Sequence, residues 1–100
     1  MNAVLNSHTV KELLFPVFEK HGIQKAILFG SVAVGTNNAN SDVDILVDSG
    51  LKGLRFIGLI EDVKAAMDAE VDLIDVTHIQ KGSKVEAEIA SKGVIIYEKP

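Results

Sequence analysis

The feature that most constrains the fold is the run of residues 42–47, which reads DVDILV. Successive side chains of a β-strand project to opposite faces of the sheet. A strand over this run therefore places three β-branched side chains on one face, while Asp42 and Asp44 project together from the other. The apolar face requires a core to cover it, so we expect a half-buried strand that carries two neighbouring carboxylates.

A helix is predicted from near Thr9 to Gly22. Thr9 and Glu12 have the spacing of a capping box, and an apolar stripe follows them at helical intervals. Pro16 lies within this stretch. Because proline lacks the amide hydrogen that a helix interior needs, it should kink the helix or move its start later.

The rest of the chain alternates between strand and helix patterns. We expect strands over residues 25–29, 71–76 and 94–97, a short helical turn with a loop over residues 31–41, an amphipathic helix over residues 51–69, and a helix capped by Ser83 and Glu86 that runs to about Lys92. The apolar stripe expected to pack the helix over residues 51–69 into the core consists of Leu54, Phe56, Ile60, Val63 and Met67. These elements predict one α/β (α+β) domain spanning residues 1–100, with a small mixed β-sheet backed by helices.

Composition excludes several classes of protein. The chain is 47% hydrophobic and 24% charged, as in folded globular proteins, and it has no cysteine for disulfides or thiolate metal sites. Its net charge is -4 and it has no basic run, so we expect no long nucleic acid as a partner. The amino terminus lacks a signal-peptide pattern, and no apolar stretch reaches membrane-spanning length, which predicts a cytoplasmic protein without membrane contact.

Asp72 is the candidate for a third carboxylate. In a strand over residues 71–76, Asp72 and Asp75 lie on opposite faces. If Val71 enters the same core as Val43, Asp72 faces the side of Asp42 and Asp44. We therefore choose Asp72, with Asp75 as the alternative.

A glycine and a serine follow the strand over residues 25–29. A Gly30-Ser31 turn that opens a helix presents free backbone amides and a hydroxyl group, which suit the phosphates of a nucleotide. Ser41, directly before the paired aspartates, either contacts the same ligand or forms a turn.

Two carboxylates held two residues apart on one strand repel each other unless cations bind between them. Magnesium is the hard cation that suits oxygen ligands beside phosphates. With Asp72 added to Asp42 and Asp44, the site would hold two Mg²⁺ ions. One ion would activate an attacking hydroxyl group, and the other would stabilise a pyrophosphate leaving group during in-line displacement.

Taken together, Gly30-Ser31-Val32-Ala33-Val34-Gly35, Ser41-Asp42-Val43-Asp44 and Val71-Asp72-Leu73 resemble the minimal nucleotidyltransferase family of the polymerase-beta superfamily. The resemblance covers nearly the whole chain. It implies the polymerase-beta-like fold and a magnesium-dependent enzyme that transfers a nucleoside monophosphate, usually AMP from ATP, to a hydroxyl group.

Proteins similar to this one are often antitoxins that pair with a HEPN-domain ribonuclease toxin and adenylylate a tyrosine on it. The resemblance therefore implies a hetero-oligomer in which the toxin is the acceptor. Many relatives carry arginine within the Gly-Ser motif where this chain has Val32 and Val34. This departure favours a second hypothesis, an antitoxin that neutralises by binding alone. A third hypothesis, transfer to a small molecule, usually requires a further substrate-binding domain.

Overall fold

A computed structural model describes residues 5–38 and 40–100. The predictions that involve residues 1–4 and Ala39 lie outside the described residues. The described part forms, in chain order, α1 (Ser7–His21), β1 (Lys25–Phe29), α2 (Gly30–Val34), β2 (Val43–Asp48), α3 (Leu54–Met67), β3 (Val71–Asp75), a 3₁₀ turn (Val76–His78), α4 (Lys84–Lys92) and β4 (Val94–Glu98).

The four strands form one sheet in the order β3-β2-β1-β4. β1 runs antiparallel to both β2 and β4, whereas β2 and β3 are parallel and are joined by α3. The predicted mixed sheet backed by helices is confirmed. The parallel pair explains why a helix must lie between β2 and β3, since a parallel connection has to cross from one end of the sheet to the other.

The start of α1 differs from the sequence prediction. The helix begins at Ser7, and its N-cap is Asn6, whose Oδ1 accepts hydrogen bonds from the Thr9 amide at 2.9 Å and the Thr9 hydroxyl at 3.1 Å. Thr9 therefore donates to the cap and is not the cap itself. Glu12 pairs with His8 at 2.7 Å, and the helix continues through Pro16. The end at Gly22, with φ +65°, is as predicted.

One face of the sheet, called the back face here, packs against α1 and α3. It is the face that carries Val43, Ile45 and Val47, all fully buried. The helices add the buried side chains Val10, Leu14, Phe18, Leu59, Val63 and Met67. The prediction that Leu54 belongs to the packed stripe of α3 is wrong, because its side chain is 85% exposed at the first turn and Leu59 is the buried residue.

The opposite face, called the front face, carries Asp44 and Leu46 of β2 and Asp72 of β3. α4 lies on this side and packs against β1 and α2. Its start is as predicted, because the Ser83 hydroxyl accepts a hydrogen bond from the Glu86 amide at 3.1 Å. None of the helices within the described ranges is both long and apolar enough to cross a membrane.

Candidate active site

The Gly30-Ser31 turn stands at the end of β1, where the chain passes directly into α2. Gly30 has φ +76°, in the left-handed region that favours glycine. A Cβ atom added at Gly30 would collide with the Asp44 carboxylate. Glycine therefore suits the backbone conformation of the turn, and it also leaves room for the Asp44 carboxylate to approach closely.

The first amides of α2 have no side-chain cap. Its N-cap residue is Phe29, which makes no side-chain hydrogen bond to the helix. Ser31 is half-buried beside these amides. The turn thus offers amide hydrogens and a hydroxyl group close to Asp44, which is the arrangement predicted for holding phosphates.

The register of β2 and β3 brings two of the predicted carboxylates side by side. Asp44 is the direct partner of Asp72 in the parallel pair, and it also stands opposite Phe29 in the antiparallel pair with β1. β2 begins at Val43, so Asp42 lies just before the strand and not within it as predicted. Asp42 and Asp72 are exposed, whereas Asp44 is half-buried between them and the Gly30 turn.

The electrostatics of Asp44 reflect this crowding. Burial raises the pKa of the Asp44 carboxyl above its usual value, and the negative charges of Asp72, Asp42 and Glu88 raise it further. The carboxylate therefore stands among like charges and would gain from a nearby cation.

Asp42, Asp44 and Asp72 supply carboxylate oxygens, which are the hard donors that Mg²⁺ prefers. Gly30 leaves room for a ligand next to Asp44. As the side chains stand, however, residues 5–38 and 40–100 contain no group of three or more His, Asp or Glu side chains close enough to bind one metal ion together. A magnesium ion at this site would take ligands from elsewhere too. Magnesium commonly does so, keeping water molecules and binding substrate phosphates.

Asp75, the alternative to Asp72, has a different environment. It is only 6% exposed, and its two oxygens accept hydrogen bonds from Ser49 and from Thr77. Burial raises the pKa of Asp75, but these hydrogen bonds outweigh it and leave the pKa lowered. Its oxygens join the end of β3 to the loop after β2, so Asp75 has a structural role away from Asp44.

Ser41 forms a turn in this structure. Its hydroxyl accepts a hydrogen bond from the Asn38 amide at 2.9 Å, and its amide donates to the Asn38 carbonyl at 3.1 Å. The turn-forming alternative is therefore observed, and it holds the chain that leads into Asp42. A ligand contact of Ser41 stays a prediction.

The two valines of the Gly-Ser motif are not equivalent. Val32 is 3% exposed and belongs to the core, whereas Val34 is 46% exposed at the end of α2. An arginine in place of Val34 would reach solvent, but one in place of Val32 would displace core packing. Val34 is therefore the position where the departure from the family pattern changes the exposed surface of α2.

Glu88 was not among the residues predicted from sequence. It lies on α4, far along the chain from the aspartates, and its charge reaches Asp44 through the packing of α4 against β1 and α2. No sequence spacing signals this electrostatic effect. His21 is a second residue that the sequence did not single out: its Nε2 lies 2.8 Å from Asp62 of α3, and only 17% of its side chain is exposed.

Residues 12–100 match the family described as polymerase beta, nucleotidyltransferase. The chain is 32% identical over 73 residues to a protein of Methanocaldococcus jannaschii described as a protein adenylyltransferase, a match that covers 70% of this chain and 77% of that protein. It is 36% identical over 73 residues to the protein adenylyltransferase MntA of Shewanella oneidensis, covering 71% of this chain and 51% of MntA. A crystal structure of a toxin-antitoxin with AMP-PNP contains a chain of similar fold, with TM-score 0.72 and 26% identity over 89% of this chain and 73% of that one.

The chain therefore belongs to the polymerase beta nucleotidyltransferase family, and its fold is that of the minimal nucleotidyltransferases. The two relatives matched by sequence are named as protein adenylyltransferases. The match spans about half the length of MntA.

Proposed function

We propose that this protein transfers AMP from ATP, with Mg²⁺, to a hydroxyl group of a partner protein. The partner proposed is a HEPN-domain toxin, the acceptor is a tyrosine on it, and the modification makes this chain the antitoxin. Support comes from the family, from relatives named as protein adenylyltransferases, and from a toxin-antitoxin structure of similar fold that contains AMP-PNP.

The observation that carries the proposal is the placement of Asp44. The strand register sets it beside Asp72, and its carboxylate lies close to Gly30, the first residue of α2. A triphosphate on those amides would have its α-phosphate next to the carboxylates. The reacting phosphorus and the metal-binding groups would then share one face of the sheet.

In the proposed reaction, the acceptor oxygen bonds to the α-phosphorus while the bond to the bridging oxygen of the pyrophosphate breaks. The Ser31 hydroxyl and the first amides of α2 hold the departing phosphates. Asp42, Asp44 and Asp72 would hold two magnesium ions, which neutralise phosphate charge and stabilise the attacking and leaving oxygens. Asp72, as an exposed carboxylate, is available to receive the proton that the acceptor hydroxyl loses.

The direct test incubates the protein with ATP, Mg²⁺ and the product of the neighbouring reading frame, and weighs that product by intact mass spectrometry. We expect a mass increase of one or more AMP units, located on a tyrosine by peptide fragmentation. Asp48→Asn is the matched control, because Asp48 is exposed at the far end of β2 and should leave the added mass unchanged. If no AMP is added and ATP does not bind, the proposal is wrong.

A second function, neutralisation by binding alone, is favoured by one observation. Val34 is the exposed position of the Gly-Ser motif where many relatives have arginine, and here it offers no positive charge to a phosphate. The double variant Asp42→Asn, Asp44→Asn separates the two functions. If it forms the complex but fails to neutralise the toxin, the transfer is required; if it neutralises fully, binding is sufficient.

A further inference from the structure

The turn at Gly30 offers a triphosphate amide hydrogens and a hydroxyl group, but no positive charge. α2 reads GSVAV, and the loop over residues 35–41 reads GTNNANS, so neither segment contains lysine or arginine. Phosphates in proteins commonly bind to these two side chains. If this chain supplies a cationic group to the triphosphate, an element packed against α2 has to provide it.

The elements that pack against α2 are β1, β2 and α4. β2 contains no lysine or arginine. Lys25 of β1 stands at the opposite end of its strand, where it pairs with Glu98 at 3.7 Å. α4 contains two lysines, Lys84 in its first turn and Lys92 in its last. α4 is therefore the element that can bring a cation to the turn.

The pairing of β1 with β4 shows which of the two lysines lies near the turn. Val94 is the partner of Leu28, and the two strands are antiparallel. Gly30 comes two residues after Leu28, and Lys92 comes two residues before Val94, so both lie at the same end of this strand pair. Lys84 is eight residues earlier in α4, which is roughly 12 Å along a helix axis.

The last turn of α4 is held firmly at this end of the sheet. A Cβ atom added at Gly93 would lie 2.7 Å from Cγ2 of Ile27 on β1 and 2.5 Å from the carbonyl oxygen of Ile89. The helix therefore lies too close to β1 for any side chain between them. The backbone of Lys92, directly before Gly93, is fixed by the same contact.

The side chain of Lys92 is exposed, and among residues 5–38 and 40–100 it has no ion-pair partner. An apolar cleft lies on the side of α4 that carries Ala90. Residues two apart differ by roughly 200° around a helix axis, so Lys92 points away from that cleft. Lys84 and Glu88 share its face of the helix. The flexible stem of a lysine lets its ammonium group move to meet a phosphate.

We propose that Lys92 binds the β- or γ-phosphate of ATP at the Gly30-Ser31 turn. The inference rests on the proposed function, because it assumes that the triphosphate lies on the first amides of α2. The docking of α4 onto β1 and α2 then contributes to nucleotide affinity as well as to the fold. A lysine some sixty residues from the turn in sequence would complete the phosphate site.

The test measures ATP binding to the whole protein by calorimetry, with Mg²⁺ present and without an acceptor protein. The variant is Lys92→Gln, and Lys84→Gln is the matched control two turns earlier in the same helix. We expect Lys92→Gln to raise the Kd for ATP about two- to fivefold, the range of an exposed ion pair. Lys84→Gln should leave it unchanged.

AMP, salt and a charge reversal sharpen the result. AMP lacks the β- and γ-phosphates, so Lys92→Gln should not change the Kd for AMP. At 1 M salt, where the Debye length is about 3 Å, its effect on ATP binding should largely disappear. Lys92→Glu should weaken ATP binding about twice as much on a logarithmic scale as Lys92→Gln.

Two outcomes would overturn the inference. One is an equal Kd for ATP in the wild type, Lys92→Gln and Lys92→Glu, with helicity unchanged by circular dichroism. The other is an equal loss of ATP and AMP binding in Lys92→Gln, which would place its effect away from the β- and γ-phosphates.

The wild type separates this inference from the proposed function. If the wild type binds ATP and adds AMP to its partner, while Lys92→Gln binds ATP equally well, only the role of Lys92 is wrong. If the wild type binds no ATP, the proposed function is wrong and the inference is wrong with it.

Discussion

Asp44 and Asp75 lie on adjacent strands of one sheet, yet their surroundings are opposite. Asp75 is nearly inaccessible, and donors from Ser49 and Thr77 satisfy both of its oxygens. Asp44 is half-buried among other carboxylates. The pKa of Asp75 is lowered, because its hydrogen bonds outweigh burial, and the pKa of Asp44 is raised by burial and by its neighbours.

The difference separates a carboxylate whose hydrogen bonds stabilise the fold from one that lies among like charges. Asp75 obtains its partners from the chain itself, so it needs nothing further. Asp44 lies where neighbouring carboxylates repel its charge, and a bound cation would relieve this repulsion. Active sites commonly hold groups in such unfavourable surroundings, at a cost in stability.

The largest expected effects on stability come from neutralising Asp75 and Asp44 one at a time. Asp75→Asn places an amide group among hydroxyl and amide donors, so we expect the free energy of unfolding to fall by about 1–3 kcal/mol. Asp44→Asn removes a repelled charge, so we expect the free energy of unfolding to rise by about 0.5–1 kcal/mol after solvent screening. Urea unfolding in metal-free buffer measures both.

The response of Asp75→Asn and Asp44→Asn to magnesium provides a control. Added Mg²⁺ should raise the stability of the wild type and Asp75→Asn, but not that of Asp44→Asn. If both substitutions lower stability by similar amounts, the contrast between the two aspartates is wrong.

The pH dependence of stability should differ in sign between the two groups. The pKa of Asp75 is lowered on folding, so its contribution is present above the ordinary value of 3.8 and is lost as the pH falls below it. The pKa of Asp44 is raised on folding, so its cost is absent at low pH and appears as the pH rises through and above 3.8.

Urea unfolding of the wild type and both variants in metal-free buffer between about pH 3 and pH 7 tests these signs. The stability lost in Asp75→Asn should shrink on acidification, and the stability gained in Asp44→Asn should also shrink, because protonation removes the repulsion. A gain in Asp44→Asn that grows toward low pH would contradict the assignment.

The smallest expected effect comes from giving the site a positive charge of its own. Val34→Arg places a guanidinium group at an exposed position of α2, where it can pair with phosphate. We expect ATP affinity, measured by calorimetry with Mg²⁺ present, to increase about twofold, because an exposed ion pair contributes little.

Val32→Arg is the contrasting variant, since Val32 is 3% exposed in the core. It should destabilise the protein, and Val34→Arg should not. If Val34→Arg leaves ATP affinity unchanged, the triphosphate does not lie beside α2 as proposed.

Local patterns predicted most of the secondary structure. The strand over Lys25–Phe29 and the cap at Ser83 were predicted as observed, because each depends on a few adjacent residues. The start of α1 was not, since Asn6, Ser7 and Thr9 can all cap a helix and only the fold selects Asn6. Leu54 was misplaced for a similar reason: helical periodicity does not show which end of the stripe extends beyond the core.

The candidate site also has features that local sequence patterns predict and features that they do not. Strand parity predicted that Asp44 and Asp72 would share a face, which the register of β2 and β3 confirms. The hydrogen bonds of Asp75 and the electrostatic effect of Glu88 on Asp44 depend on loops and helices that meet only in the folded chain. Both result from tertiary packing, so no spacing in the sequence predicts them.

The parallel pairing of β2 with β3 also constrains how such a protein can change over evolutionary time. Because side chains alternate along a strand, inserting one residue between Val71 and Asp72 would turn the third carboxylate toward the back face. Insertions in the segments that flank α3 leave the register untouched. Lineages of this fold can therefore lengthen those connections and diversify their surfaces, while the strand interiors tolerate substitution but not a change in length.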